Sequence, residues 1–351
     1  MAYTTINKSS DYFNTLLYTG DGSSARSVTG VGFQPDWVWF KNRATSDHHK
    51  TFDAVRGANK VIYPNLNAVE ATVTQELQSF NSDGFTVGTE SAMNGNGNGI
   101  VAWNWKAGTT SGLSGGTITP SSYSISAASG LGIYKYTGTG SNGTIAHGLG
   151  TPPRFIIIKQ LNDTANWTKY YNPITNLKGQ EGRYVSFQTS GFSTASSAWN
   201  DTAATSSVFT VGTTALVNES GKTYIAYAFA DITGFQKFCG WYVNANADGP
   251  FIYTGFKPAF FLMFNINNGS RFQIADNKRN PSNEIDKKIQ PSTSNAEVTT
   301  GDIACDFLSN GIKIRGGSTS DINHTNLNMM YGLAIAEAPL VGSNNIPATA
   351  K

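Results

Sequence analysis

The densest cluster of ionisable side chains in the sequence is Asp47-His48-His49-Lys50. Histidines and carboxylates can bind a metal ion or transfer protons near neutral pH. Adjacent histidines on a strand point to opposite faces, however, so His48 and His49 could share one ion only across a sharp turn. A polar loop tip is the preferred interpretation, and a pH-sensitive contact through these histidines is the alternative.

The other sequence patterns do not predict catalysis. The sequence contains no Gly-x-Ser-x-Gly elbow, Walker loop, HExxH or EF-hand loop. The glycine-rich run from Asn94 to Gly99 joins two predicted strands, so we interpret it as a flexible hairpin and not as a phosphate-binding loop. Paired carboxylates could cleave a glycosidic bond, but no acidic pair recurs along the chain. We therefore expect a protein that is not an enzyme and that uses neither a cofactor nor a metal.

The seven tryptophans offer flat rings that could stack on the faces of sugars. Four of them lie inside predicted strands and are expected in the core: Trp37, Trp39, Trp103 and Trp105. The other three adjoin polar loop segments and are the candidates for a surface that binds carbohydrate: Trp167, Trp199 and Trp241.

The elements that would position these side chains occur three times along the chain. Each copy has an aromatic-Pro strand, a polar middle, a strand that follows a turn, and an Ala/aromatic strand. The aromatic-Pro strands are GFQPDWVWFK, GLGTPPRFIIIK and GFKPAFFLMF, and the Ala/aromatic strands are VAWNWKA, IAYAFAD and YGLAIAE. A weaker marker, Asp53-x-x-Arg56, recurs as Asp276-x-x-Arg279 but is missing from the second copy. This pattern predicts a triplicated unit.

Composition and periodicity predict that each unit is β. The chain has 37 glycines, 12% aromatic residues and only 14% charged residues, which is typical of many short strands joined by tight turns. Alternation in 225–230 sends Ile225, Tyr227 and Phe229 to one face and three alanines to the other, against another sheet or chain. The best helix candidate is 68–80, with Asn67 as a cap. The predicted fold is all-β: three tandem antiparallel β-sandwich domains with little helix.

The predicted boundaries follow the copies and the composition of the segments between them. We expect one β-sandwich repeat with an N-terminal segment over 1–107, a flexible or loosely strapped Gly/Ser/Thr-rich linker over 108–130, and a second repeat over 131–234. A third repeat over 235–340 and an extended C-terminal tail over 341–351 complete the chain. The two cysteines, Cys239 and Cys305, could form a single bridge in the third repeat.

Charge and hydropathy argue against two classes of partner, nucleic acids and membranes. Lys plus Arg number 25 against 23 Asp plus Glu, so the net charge of +2 and the lack of a basic run argue against nucleic-acid binding. The chain start lacks a signal peptide pattern, and no apolar stretch approaches the roughly 18 residues of a membrane span. We expect no membrane insertion.

Several segments resemble the repeated domains of structural proteins from marine tailed bacteriophages. They include the opening MAYTTINKSSDYFNTLLYTGDG, the block FDAVRGANK and the long run YTGTGSNGTIAHGLGTPPRFIIIK. The resemblance spans nearly the whole chain and implies concanavalin-A-like or jelly-roll sandwiches in a virion or tail protein. It carries no catalytic residues onto this sequence.

The expected function is therefore that of a non-enzymatic virion structural protein. A tail, tail-fibre or receptor-proximal component is the leading hypothesis, and a capsid decoration (cement) protein is the alternative. A lectin-like module for host-surface glycans is the alternative of another class. The expected partners are other virion proteins and further copies of the chain in a homo-oligomer, with a trimer as the first expectation.

Overall fold

A computed structural model describes residues 4–171, 183–186, 193–194, 196–265, 272–325 and 329–341. The fold is mostly β, with 45% strand and 6% helix. The α-helices are single turns, α1 (Ser91–Asn94), α2 (Ser196–Trp199) and α3 (Ala215–Asn218), and two 3₁₀ turns lie at Ser9–Asp11 and Gly301–Ile303. Within these ranges no helix has the length and hydropathy needed to cross a membrane.

Twenty-seven strands make up the described fold, and every pair of them is antiparallel. The first nine are β1 (Phe13–Thr19), β2 (Arg26–Thr29), β3 (Trp37–Asn42), β4 (Lys50–Asp53), β5 (Lys60–Val61), β6 (Ala71–Thr72), β7 (Leu77–Asn81), β8 (Gly84–Val87) and β9 (Gly99–Trp105). The next nine are β10 (Ser122–Ser126), β11 (Leu131–Thr137), β12 (Gly143–Ala146), β13 (Pro153–Gln160), β14 (Thr168–Tyr171), β15 (Arg183–Ser186), β16 (Ser193–Thr194), β17 (Val208–Val211) and β18 (Thr223–Ala230). The last nine are β19 (Gln236–Tyr242), β20 (Phe251–Tyr253), β21 (Phe256–Asn265), β22 (Gln273–Asp276), β23 (Lys287–Lys288), β24 (Val298–Thr299), β25 (Cys305–Leu308), β26 (Gly311–Ile314) and β27 (Met329–Pro339).

One strand order recurs three times in the larger sheets. The first is β1-β9-β3-β4, the second contains β11-β18-β13-β14, and the third is β19-β27-β21-β22. In each of them the Ala/aromatic strand lies between the strand that opens the sheet and the aromatic-Pro strand. Strands β10, β15 and β16 extend the second sheet to seven strands.

A smaller sheet accompanies each larger one, in the orders β2-β8-β7, β12-β17 and β20-β26-β25. We call each larger sheet with its smaller sheet the first, second and third set. The edge strands β2, β12 and β20 hold equivalent positions, since Val28 pairs with Phe85, Ile145 with Phe209, and Ile252 with Ile312.

Alternation along the strands divides the side chains between two kinds of core. On β18 the alanines face a cluster that includes Phe209 of the smaller sheet, while Tyr227 and Phe229 face a cluster common to all three sets. On β13, Ile156 and Ile158 face the cluster next to the smaller sheet, and Phe155 and Ile157 face the common cluster. The prediction that the alanine face lies against another sheet is confirmed, and β13 is buried on both faces.

The common cluster is aromatic, and it joins the larger sheets in a cycle. Trp37 of the first set stacks on Tyr227 of the second, with 4.5 Å between ring centroids. Phe155 of the second set stacks on Phe264 of the third at 5.5 Å. Phe260 of the third set packs on Trp105 of the first at 5.6 Å. Each aromatic-Pro strand therefore packs against the next set, and the third set closes the cycle on the first.

The helix predicted for 68–80 is wrong. The structure has β6 and β7 there, and Phe80 pairs with Phe85 across a hairpin. Asn67 does not cap a helix, and the Glu70 carboxylate instead forms an ion pair with Arg56. The apolar residues at helical spacing fit a hairpin because the segment is rich in Thr and Val, which favour strands.

The segment predicted to be a linker packs against the second set. It contains β10, and both Ile118 and Ile125 are buried in the core of that set. Short backbone contacts also tie Gly116 and Ile118 to Ile145 on β12. The tail beyond residue 341 lies outside the described residues. The Asn94–Gly99 run starts in α1 and ends at β9, and it is not a simple hairpin.

Candidate functional site

Two buried ion pairs with the same geometry mark the first and third sets. Arg56 Nε donates to Asp53 Oδ2 at 2.6 Å, and Arg279 Nε donates to Asp276 Oδ2 at the same distance. In each pair the other carboxylate oxygen accepts the arginine's own backbone N–H at 2.8 Å. The Asp-x-x-Arg pattern is therefore a closed local turn, and its four side chains are at most 1% exposed.

A second carboxylate completes each cluster. Glu70 pairs with Arg56, and Glu297 pairs with Arg279, both at 3.1 Å. Glu297 also binds Arg43 of the first set through two hydrogen bonds of 2.7 and 3.0 Å. Burial opposes ionisation of Glu297, but the hydrogen bond from Arg43 and the charges of Arg279 and Arg43 outweigh it and hold its pKa below the usual value.

Each aspartate also accepts a hydrogen bond from a neighbouring set. Tyr227 Oη donates to Asp53 Oδ2 at 2.6 Å, and Trp103 Nε1 donates to Asp276 Oδ2 at 3.0 Å. In the second set the register position of these aspartates is held by Tyr171, whose ring packs on Tyr331 of the third set at 4.9 Å. The three positions join neighbouring sets, two through a carboxylate and one through a pair of tilted rings.

Sequence reasoning missed a third repeated feature, a fully buried asparagine in each set: Asn94, Asn218 and Asn323. The Nδ2 groups of these asparagines donate to the carbonyls of Gly88, Gly212 and Gly316, respectively. Their Oδ1 atoms accept backbone N–H groups from the loops at Asp21, Thr139 and Asn244. A glycine six or seven residues before each asparagine is the sequence signal that could have revealed it.

Among the residues that the structure describes, the exposed Phe and Tyr side chains belong to the third set. Tyr242 is 66% exposed, and Phe251 and Tyr253 on β20 are 45% and 51% exposed. A cleft of about 240 Å³ adjoins Tyr253 and is also lined by Asp231 and Lys237. Burial raises the pKa of the Asp231 carboxyl despite a hydrogen bond from the Phe238 N–H. Among the described residues no three His, Cys, Asp or Glu side chains are grouped to bind a metal ion.

The Asp47–Lys50 cluster is only partly the polar loop tip predicted. His49 is fully buried, and Trp39 Nε1 donates to its Nδ1 at 2.9 Å. Because Nδ1 accepts, the proton of the neutral ring lies on Nε2, which donates to the Gln290 carbonyl of the third set at 3.1 Å. His48 points elsewhere and contacts Asn65. The two histidines do not meet, and His49 forms another junction between sets.

His49 is expected to make stability depend on pH. Burial, followed by the nearby charge of Lys41, lowers its pKa well below 6.5. The unfolded chain therefore takes up a proton as the pH falls below about 6.5, whereas the folded chain does not, so the free energy of unfolding decreases with falling pH. Between about pH 6.5 and 5 this contribution approaches about 1.4 kcal/mol per pH unit.

Urea unfolding of wild type and His49→Gln over this pH range checks the expectation. The free energy of unfolding of the variant should depend less steeply on pH than that of wild type. At pH 8 the imidazole is neutral in both the folded and the unfolded state, so the difference in free energy between the two proteins there reports only the altered packing. Equal slopes for the two proteins below pH 6.5 would contradict the assignment.

The structure buries the three tryptophans that were candidates for a glycan-binding surface. Trp167, Trp199 and Trp241 are 1%, 1% and 5% exposed. Trp167 Nε1 donates to the Tyr63 carbonyl at 3.0 Å, Trp199 packs on Tyr170, and Trp241 packs on Phe261. The surface placement is wrong because the rings point inward: Trp167 directly precedes β14, Trp199 lies in α2, and Trp241 lies on β19. The core placement of the other four tryptophans is confirmed.

Both cysteines are buried free thiols, so no bridge links Cys239 and Cys305. Burial raises the pKa of the Cys239 thiol to about 12.

A model of the DUF7483 family, whose description is a domain of unknown function, matches residues 8–339. The chain belongs to this family. No curated protein and no solved structure matches it. Residue roles in this DUF7483 member therefore follow from its own contacts.

Tryptophan fluorescence should report the burial of all seven indoles in this DUF7483 member. We expect a blue-shifted native emission that acrylamide quenches weakly, because each ring is at most 5% exposed. The same chain unfolded in guanidinium chloride is the matched control and should be quenched several-fold more strongly. A fraction of the native emission that is quenched as in the unfolded chain would show that at least one indole faces solvent.

Proposed function

We propose that the chain is a non-catalytic structural protein of a tailed-bacteriophage particle, in a tail, tail-fibre or receptor-proximal position. The resemblance of nearly the whole sequence to repeated phage structural domains is the observation that carries the proposal. The buried ionisable groups support a structural role, since Asp53, Asp276 and His49 all form bonds between sets.

In this proposal the three sets are three β-sandwich, jelly-roll-like units, with boundaries near 1–107, 131–234 and 235–340. Each set has a larger and a smaller sheet with apolar side chains between them, which supports the sandwich assignment. The common aromatic cluster would hold the units in one body. Such a body resists opening, which a particle exposed outside its host requires.

The proposed partners are other virion proteins and further copies of the chain. A homo-oligomer is proposed because virion proteins meet symmetric neighbours, and a trimer is the first expectation. We propose no catalytic, metal-dependent or nucleic-acid-binding role.

A capsid decoration protein is the second candidate, and the cyclic packing of the three sets favours it. Three similar units around one core give a single chain a surface with approximate three-fold repetition. Such a surface would suit a three-fold position of a capsid lattice.

The glycan-binding alternative predicts exposed aromatic rings at equivalent places in all three units. Within the described residues such rings occur in the third unit alone, and the equivalent positions of β2 carry Ser27 and Thr29. This pattern favours the two structural candidates over a lectin.

Electron microscopy of intact particles labelled with antibody against this chain tests the proposal. Label at the tail supports the leading candidate. Label over the capsid lattice contradicts it and supports a capsid decoration protein instead. Particles that contain the chain by mass spectrometry and bind antibody only after disruption would place it inside and overturn both. Particles without the chain would overturn the virion assignment itself.

A further inference from the structure

The strands β2, β12 and β20 occupy the same edge position, and the three edges can therefore be compared directly. The chain covers β12 with its own residues. The N–H groups of Thr117 and Ile118 both donate to the Thr144 carbonyl, at 2.8 and 2.9 Å. Thr117 Oγ1 in return accepts the Thr144 N–H at 2.8 Å. The Thr117 N–H also lies 3.1 Å from Thr144 Oγ1, whereas the other three bonds go to backbone atoms of β12 and demand no particular side chain there.

The covering segment also closes the core of the second set. Ile118 is only 5% exposed and belongs to the cluster between the two sheets. A Gly-Thr-Ile segment is therefore sufficient to cover this kind of edge: glycine allows close approach, threonine bonds the backbone, and isoleucine supplies apolar contact.

The corresponding edge of β20 is open. At its two ends, Pro250 accepts a hydrogen bond from β26, and Thr254 donates one to the turn before β26. Because bonds alternate along an antiparallel pair, Phe251 and Tyr253 direct their backbone groups to the other side. The Tyr253 carbonyl accepts a bond from Lys237 Nζ at 3.0 Å. Within the described part of the chain, the Phe251 N–H and carbonyl and the Tyr253 N–H have no partner.

The side chains of β20 differ from those of the two equivalent strands. Phe251 and Tyr253 stand where β12 has Thr144 and Ala146. Exposed edge strands are commonly protected by charged residues, because an open apolar edge pairs readily with other chains. Strand β20 carries no charge of its own, and its two rings are about half exposed. This edge has the properties of a surface that another strand covers.

The chain segment that leads into the third set is too short to cover the edge of β20. The segment that leads into the second set is long enough to cover the edge of β12. Residues 106–121 lie between β9 and β10 and cross β12, whereas only residues 231–235 lie between β18 and β19. Five residues that already turn from one sheet into the next cannot also form an edge strand.

We propose that the open edge of β20 is a docking site for an extended segment of another protein. The segment is uncharged, rich in Gly, Ser and Thr, and carries one aliphatic residue, as residues 116–118 do on β12. It adds to the sheet as a strand, donates to the Phe251 carbonyl and packs its aliphatic side chain on the rings of Phe251 and Tyr253. The proposal stands on this geometry and does not depend on a virion location.

A labelled peptide with the sequence of residues 114–121, SGGTITPS, tests the proposal by fluorescence anisotropy with the full-length protein. We expect saturable binding that weakens about tenfold or more in the variant Phe251→Ser with Tyr253→Thr, which carries the residues of β2. Phe251→Pro should have a similar effect, because it removes the ring and a backbone N–H that points away from β26, so the hydrogen bonds between β20 and β26 are kept. A peptide N-methylated at the Thr and Ile nitrogens of its Thr-Ile pair should not bind. Changing β2 instead, with Ser27→Ala and Thr29→Ala, is the matched control and should leave binding unchanged.

Each other outcome overturns the proposal. Absence of saturable binding, or equal binding of the methylated peptide or the β20 variants, excludes strand addition at this edge. Binding only after deletion of residues 342–351 would assign the edge to the chain's own tail. A wild-type dimer in sedimentation that the Ser/Thr variant converts to monomer would assign it to a second copy.

Discussion

Asp276→Ala is expected to lower the free energy of unfolding by about 3–5 kcal/mol, because it leaves the Arg279 guanidinium buried without its closest counter-charge. The substitution also removes the acceptor of the Trp103 indole N–H and of two backbone N–H groups in the turn. Urea unfolding monitored by circular dichroism measures the loss. Asp53→Ala removes the equivalent carboxylate in the first set and should lower the free energy of unfolding by a similar amount.

Two controls separate the burial of the charge from the loss of an ion pair as such. Asp248→Ala removes a carboxylate that is 84% exposed and paired with Lys313, and it should lower the free energy of unfolding far less than Asp276→Ala does. The double variant Asp276→Leu with Arg279→Met removes both buried charges and should be more stable than Asp276→Ala alone. If Asp276→Ala costs no more than Asp248→Ala, the buried pair does not hold the sets together.

Trp37→Ala is expected to cost about 3–5 kcal/mol and to weaken the whole fold at once. The ring stacks on Trp105 of its own sheet at 4.2 Å and on Tyr227 of the second set at 4.5 Å, so its removal leaves a cavity between two sets. Because the aromatic cluster is common to all three sets, we expect one unfolding transition, shifted as a unit. Calorimetry and circular dichroism at two wavelengths would show whether the transitions coincide.

Tyr242→Ala is the control for loss of an aromatic ring, since Tyr242 is 66% exposed and its replacement should change stability by less than about 0.5 kcal/mol. Trp37→Phe keeps most of the buried ring, so its loss of stability should lie between those of Trp37→Ala and Tyr242→Ala. Separate transitions for different parts of the chain, with only one of them moved by Trp37→Ala, would mean that the sets unfold independently.

Period-2 alternation made the faces of individual strands predictable. Tyr227 and the alanines of β18 lie on the faces that the pattern assigned, and Trp37 and Trp103 are in the core as expected. The same reasoning failed at 68–80, where the segment contains the short strands β6 and β7 and no helix. Short segments satisfy both periods, and only pairing with β8 decides between them.

The junctions between sets were only half predictable. The Asp-x-x-Arg repeat was visible as a marker, and the turn it closes is local. Its partners were not visible, because Tyr227 is 174 residues from Asp53 and Trp103 is 173 residues from Asp276. Nothing in the composition near Trp167, Trp199 and Trp241 indicated that neighbouring strands would fold over them.

The sequence by itself determined the threefold internal repetition, the β character of the chain and the two faces of its main strands, because these properties arise from short-range patterns of side-chain size and polarity. Only the tertiary structure decided that the larger sheets close a cycle around one aromatic cluster, that His49 and the three tryptophans are buried, and that β20 has no second partner strand among the described residues. These outcomes depend on which sheet faces pack together, and that choice is made by contacts between residues far apart in the chain.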